Sequence, residues 1–86
     1  MIKDEILQHI GYTELVYERI NKKLKIQLSK SEIEALMLRI IQETDEKNFV
    51  KKGKNYYISN FQHSIRITIN SYTFTIITID RIAASS

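Results

Sequence analysis

Ser64-Ile65-Arg66-Ile67-Thr68-Ile69-Asn70 alternates strictly, with three isoleucines on one side and polar residues on the other. That period of two is the pattern of a half-buried strand. Ser71-Tyr72 can turn the chain into a second such run, Thr73-Phe74-Thr75-Ile76-Ile77-Thr78-Ile79. A two-residue turn there sets Ile69 against Phe74 and Ile67 against Ile76 on the buried face. Thr68 then meets Thr75 on the open face, a favourable cross-strand pair. Ile77 and Ile79 fall on the open side in this register. Upstream, Asn48-Phe49-Val50-Lys51 and Asn55-Tyr56-Tyr57-Ile58-Ser59 flank Lys52-Gly53, a tight hairpin signal. With Lys52-Gly53 as the loop, Phe49 faces Tyr56. Phe49, Tyr56 and Ile58 take the core side, and Val50 and Tyr57 the other.

Ahead of the strands the period is helical. Ile2, Ile6, Leu7 and Ile10 are so spaced, and Gly11 is a natural stop. Thr13 can cap a second helix with Leu15, Val16, Ile20 and Leu24 on one side. Lys22, Lys23 and Lys25 lie in its last turns, where the helix dipole favours cations. Ser29-Lys30-Ser31-Glu32 is a capping box, the serine bonding a first-turn N–H and the glutamate reaching back. Ile33, Leu36, Met37, Ile40 and Ile41 follow as an apolar stripe, and the helix should fade near Thr44-Asp45.

Helices first and strands second predict an α+β domain. The expected form is two to three N-terminal helices packed on one face of a four-stranded antiparallel meander. Its core should hold Leu36, Ile40, Phe49, Tyr56, Ile58, Ile65, Ile67, Ile69, Phe74 and Ile76. Ala83-Ala84-Ser85-Ser86 reads as a frayed tail.

Eighty-six residues predict a single domain, 1–86, with one modest core. The absence of cysteine excludes a disulfide scaffold, a zinc finger and a thiol nucleophile. No apolar stretch approaches the ~20 residues of a membrane span, and the acidic start Met1-Ile2-Lys3-Asp4-Glu5 does not suit a signal peptide. A cytoplasmic protein without membrane contact is the expectation. No phosphate-binding loop, dinucleotide fingerprint or hydrolase elbow occurs. His9 and His63 have no ligand partners at metal-binding spacing. Neither metal nor cofactor is expected.

The charge is segregated. Residues 1–46 hold seven bases and nine acids, net −2, whereas residues 47–86 hold six bases and one acid, net +5. No acid occurs between Lys47 and Ile79, a window containing Lys47, Lys51, Lys52, Lys54 and Arg66. Cations on a sheet, with Tyr57 among them to stack a base, are the footprint of a nucleic-acid surface. Lysines that keep a sheet edge from aggregating give the same pattern.

Lys52-Gly53-Lys54-Asn55-Tyr56-Tyr57, Arg66-Ile67-Thr68-Ile69-Asn70-Ser71 and Thr75-Ile76-Ile77-Thr78-Ile79-Asp80-Arg81-Ile82 resemble a small prokaryotic family, domain-of-unknown-function family three-seven-eight-one. Tyr12-Thr13-Glu14-Leu15 with Glu18-Arg19-Ile20 is similar to its helical part. The resemblance covers most of the chain and implies a fold but no activity. Members often carry a histidine-lysine pair after the last strand, where this chain has Asp80-Arg81. No role for that histidine transfers. In architecture alone, the order of helices and strands is similar to RelE and barnase-type ribonuclease toxins, and a fold hosts many functions.

Three functions stay open. One is a binding module whose basic face, Lys47, Lys51, Lys52, Lys54, Tyr57 and Arg66, meets RNA or another single-stranded nucleic acid. The second is a metal-independent ribonuclease toxin of a toxin–antitoxin system. There His63 or Tyr57 would move the proton and Arg66 or Lys54 would hold the phosphate. His63 also reads simply as an exposed loop histidine, and Arg66 as a solvated strand residue. The third is a protein-binding module, such as a phage- or mobile-element-encoded inhibitor, or a homodimer. It would use Val50, Tyr57, Ile77 and Ile79 on the open face.

Overall fold

The structure is a computed structural model and describes residues 2–82. The expectation for Ala83-Ala84-Ser85-Ser86 lies outside the described residues. Three helices, α1 (Ile2–His9), α2 (Glu14–Leu24) and α3 (Lys30–Glu43), precede four strands. A short 3-10 turn, Glu46–Asn48, leads into β1 (Phe49–Lys52), β2 (Asn55–Asn60), β3 (Ile65–Asn70) and β4 (Ile76–Arg81). The strands form one antiparallel sheet in the order β1-β2-β3-β4. The fold is α+β, a meander with a helical layer.

Local chemistry accounts for the helix boundaries. Thr13 caps α2, its hydroxyl accepting from the Val16 N–H at 3.3 Å. Lys25, in the left-handed conformation at φ 57, ends it. The capping box of α3 is complete, with Ser29 Oγ accepting from the Glu32 N–H and Glu32 Oε1 accepting from the Ser29 N–H. Gly11 does more than stop a helix. Its N–H donates to the Phe74 carbonyl at 2.9 Å and its carbonyl accepts from the Ile76 N–H at 3.0 Å, a bridge on the outer edge of β4. A β-carbon at Gly11 would stand 3.4 Å from Thr75 Oγ1, so the small residue permits the approach.

The helices bury their stripes on one sheet face. Ile6, Val16, Ile20, Leu24, Ile33, Met37, Ile40 and Ile41 meet Ile58, Ile65, Ile67, Ile69, Ile76 and Ile79 in a continuous core. Leu36, Phe49, Tyr56 and Phe74 pack against its margin, half-buried rather than central. Leu15 departs from the expected α2 stripe and is 71% exposed. It is adjacent to Val16, and the 3.6-residue period cannot bury both on a narrow contact.

Both hairpins differ from the expected register. In the first, Phe49 pairs with Ile58 and Lys52 with Asn55, so the turn is Gly53-Lys54. Gly53 takes φ +62, which only glycine adopts without cost. The shift is two residues, so every side chain keeps its face. In the second, the Asn70 side-chain carbonyl accepts from the N–H groups of Tyr72 and Thr73, at 2.8 and 3.0 Å, and lengthens the turn. Phe74 follows at φ 56. Ile69 therefore faces Ile76, Thr68 faces Thr78 and Ile67 faces Ile79, with a register shift between Thr68 and Ile69. The bulge inverts the alternation of β4. Ile79, expected on the open face, is a core residue at 0% exposure.

A buried polar knot ties α3 to the end of β2. The Asn60 amide donates to the Ile40 carbonyl at 3.3 Å and to Thr44 Oγ1 at 2.9 Å. Thr44 Oγ1 donates to Ile40 O at 2.7 Å, and Lys3 Nζ donates to Thr44 O at 2.8 Å. Between α2 and α3, the Tyr17 hydroxyl donates to Glu34 Oε2 at 2.6 Å while Tyr12 stacks on its ring at 5.4 Å. The carboxylate bond, aided by burial, pushes the Tyr17 phenol up to about 12.

Candidate nucleic-acid interface

The helices cover one face of the sheet and leave the other bare. Pairing sorts that bare face into rows. Lys52, Asn55 and Asn70 form one row, Val50, Tyr57, Thr68 and Thr78 the next, and Ser59, Arg66 and Asp80 the third. Successive rows are two residues apart, about 7 Å along the strands. Tyr57 thus lies centrally, with Lys52 one row to one side and Arg66 one row to the other. Val50, Lys52, Gly53, Tyr57, Ser59 and Arg66 line a shallow concavity of about 560 Å³.

The electrostatics follow from who is already paired. Among the described residues, Lys47, Lys51, Lys52, Lys54 and Arg66 take part in no ion pair. Arg66 donates from Nε to Ser59 Oγ at 3.3 Å, which steadies the guanidinium over the face without neutralising it. The acid opposite Arg66 in the register, Asp80, is held by Lys23 of α2 at 2.9 Å. A face with spare positive charge and a half-buried aromatic ring between two cations can hold anionic groups and stack a planar one.

The six expected binding residues do not form one cluster. Lys52, Tyr57 and Arg66 come together. Lys54 is in the neighbouring turn, where its carbonyl accepts from the Ser71 N–H at 2.8 Å. Lys51 pairs with Tyr56 and so belongs to the opposite side of β1. Lys47 stands apart in the 3-10 turn. Strand parity contained the separation of Lys51, which charge alone did not.

His63 does not join Tyr57 and Arg66 in the concavity. Its backbone N–H donates to Asn60 Oδ1 at 2.8 Å, and its Nε2 meets Glu43 Oε1, at the end of α3, at 2.9 Å. No sequence spacing signals a partner twenty residues away. The His63 bond, and then Arg39 at 3.4 Å, hold the Glu43 carboxyl below its ordinary value of 4.5. A carboxyl lowered by folding stabilises in full above its unfolded pKa and loses that contribution as pH falls through its folded one. Thermal melts across the acidic range should therefore show Glu43→Gln losing less stability than the wild type below about pH 4.5. Parallel curves would mean that the pair contributes nothing to folding.

Two further points bear on function. Among the described residues no three His, Asp or Glu side chains gather as a metal site. No helix there is long and apolar enough to cross a membrane.

The motif segments that carry the family resemblance, Lys52–Tyr57 and Arg66–Ser71, border the bare face. No curated protein and no solved structure matches the chain. The family model described as "Protein of unknown function (DUF3781)" matches residues 4–80, from the first turn of α1 to the penultimate residue of β4, and the chain belongs to that family.

Proposed function

We propose that this protein is a nucleic-acid-binding module whose bare sheet face holds backbone phosphates on Lys52 and Arg66 and a base on Tyr57. The observation that carries the reading is the placement of these three side chains in successive rows of one face, free of ion pairs. Phosphate spacing is fixed by the ligand, so cations on either side of a stacking ring match a strand that crosses it. The reading asks for binding and no chemical step. On this face the one group able to move a proton beside Arg66 is Tyr57, since His63 is engaged by Glu43.

Titration of labelled oligouridine at low and moderate salt tests it. Lys52→Ala and Arg66→Ala should each weaken binding, and each should flatten the log-affinity against log-salt slope by about 0.7. Tyr57→Ala should cost about 1–3 kcal/mol with little change in slope. Lys47→Ala, Lys51→Ala and Lys22→Ala should matter less. The absence of binding at low salt would remove the reading. Loss of the RNA itself in EDTA, with a cyclic phosphate on the upstream product, would replace it with the ribonuclease, Tyr57 being the proton carrier. The apolar patch on which the homodimer expectation rests is smaller, because Ile79 belongs to the core and leaves Val50 and Ile77 as its exposed aliphatic residues.

A further inference from the structure

The same end of the sheet carries a second, more exposed aromatic ring. Tyr72, in the β3–β4 turn, is 74% exposed. The turn is built rather than loose. Asn70 Oδ1 accepts from the Tyr72 and Thr73 N–H groups, and the Phe74 N–H donates to Asn70 O at 2.9 Å. The Ser71 N–H donates to the Lys54 carbonyl at 2.8 Å, which pins this turn to the Gly53-Lys54 turn. Tyr72 and Lys54 therefore stand in adjoining turns at the end of the β2–β3 ladder. A tyrosine so exposed on an anchored turn adds nothing to the core.

Tyr57 pairs with Thr68, four residues before Tyr72. At ~3.3 Å per residue, the two tyrosine backbones are at most about 13 Å apart along the ladder. Asn55 and Asn70, a register pair, occupy the gap on the bare face, Asn70 with its side-chain oxygen turned into the β3–β4 turn. Read from Arg66, the ladder presents cation, ring, paired asparagines, then cation and ring.

Resting on the nucleic-acid reading, we propose that Tyr72 with Lys54 forms a second stacking site, and that the ligand is a single strand laid along the β2–β3 ladder. Both rings need unstacked bases, and a duplex keeps its bases stacked inside. The bare face also carries no helix or protruding ribbon to enter a groove. A stacked strand advances ~3.4 Å per nucleotide and a strand splayed onto rings advances further, so Tyr57 and Tyr72 engage bases two to about four nucleotides apart.

The test uses the full chain and oligouridines in which one 2-aminopurine, whose emission reports stacking, is walked along the strand. Two positions, two to about four nucleotides apart, should respond to the wild type. Tyr72→Ala should abolish one response and weaken binding about 5- to 150-fold, while Tyr72→Phe retains both. Tyr57→Ala should abolish the other. Melting temperature, measured alongside, should not change in the Tyr72 variants, because the ring is outside the core. Oligodeoxythymidine in parallel tells whether the sugar is read. Unchanged affinity and both responses in Tyr72→Ala would overturn the second site and leave the first standing. Duplex bound as tightly as single strand would overturn the single-strand assignment. A wild type that binds nothing would overturn both this and the reading beneath it.

Discussion

Ile67→Ala is expected to cost about 2–5 kcal/mol of stability, measured as a fall in the urea midpoint at constant slope. Ile67 is 0% exposed, at the centre of β3, between Ile58 on one side and Ile79 on the other. Truncation removes buried methyl groups and leaves a cavity that two neighbouring strands and the helical layer cannot all close. A domain of this size has only about 4–13 kcal/mol in total. Ile79→Ala should cost a similar amount, and this companion result is the more discriminating. Under uninterrupted alternation Ile79 faces solvent, and its truncation would change stability by no more than about 0.5 kcal/mol. Val50→Ala, on the bare face, should stay within that smaller range. A mild Ile79→Ala beside a severe Ile67→Ala would mean that β4 lacks its bulge.

Asn60→Ala should destabilise by about 2–4 kcal/mol, as one buried amide serves several partners. Its loss strips Thr44 Oγ1 and Ile40 O of a donor and the His63 N–H of its acceptor, all near the end of α3. Thr44 is 2% exposed and Asn60 3%, so water cannot readily replace the bonds. Asn60→Asp is the sharper variant. It keeps the acceptor for His63 but turns the donor into a charge facing two oxygens, and should be at least as harmful. Hydrogen exchange should then show faster opening at the α3 terminus and the β2–β3 loop than in β3. If Asn60→Ala melts like the wild type, the knot is not what fastens the helix to the sheet.

The candidate site divides along the same line as these predictions. Tyr57 and Arg66 were assignable to one face from parity, because β2 and β3 are short and regular and a side chain's face follows from its place in an alternating run. Parity survived even the two-residue error in the first hairpin. It failed in β4, where the bulge opposite Thr68 and Ile69 exchanged the faces of the residues after Ile76. Tyr72 read as a turn residue, and its place beside Lys54 depends on a hydrogen bond between two turns seventeen residues apart. His63 read as an exposed loop histidine or a proton carrier beside Arg66, and Glu43 holds it at the helical layer instead.

From its own local preferences the chain determines three helices and four strands, the capping box at Ser29, the isoleucine side of β3 and the excess of cations after Lys47. Those are properties of neighbouring residues: a period, a cap, a charge count. Only the tertiary structure decided that Ile79 is buried, that Gly11 closes the β4 edge, and that Asp80 belongs to Lys23. Each depends on which distant group offers a hydrogen bond or an opposite charge once the layers are packed. Asn70 holding two N–H groups lengthened one turn, and the bulge opposite Thr68 and Ile69 then reversed the faces of the last strand.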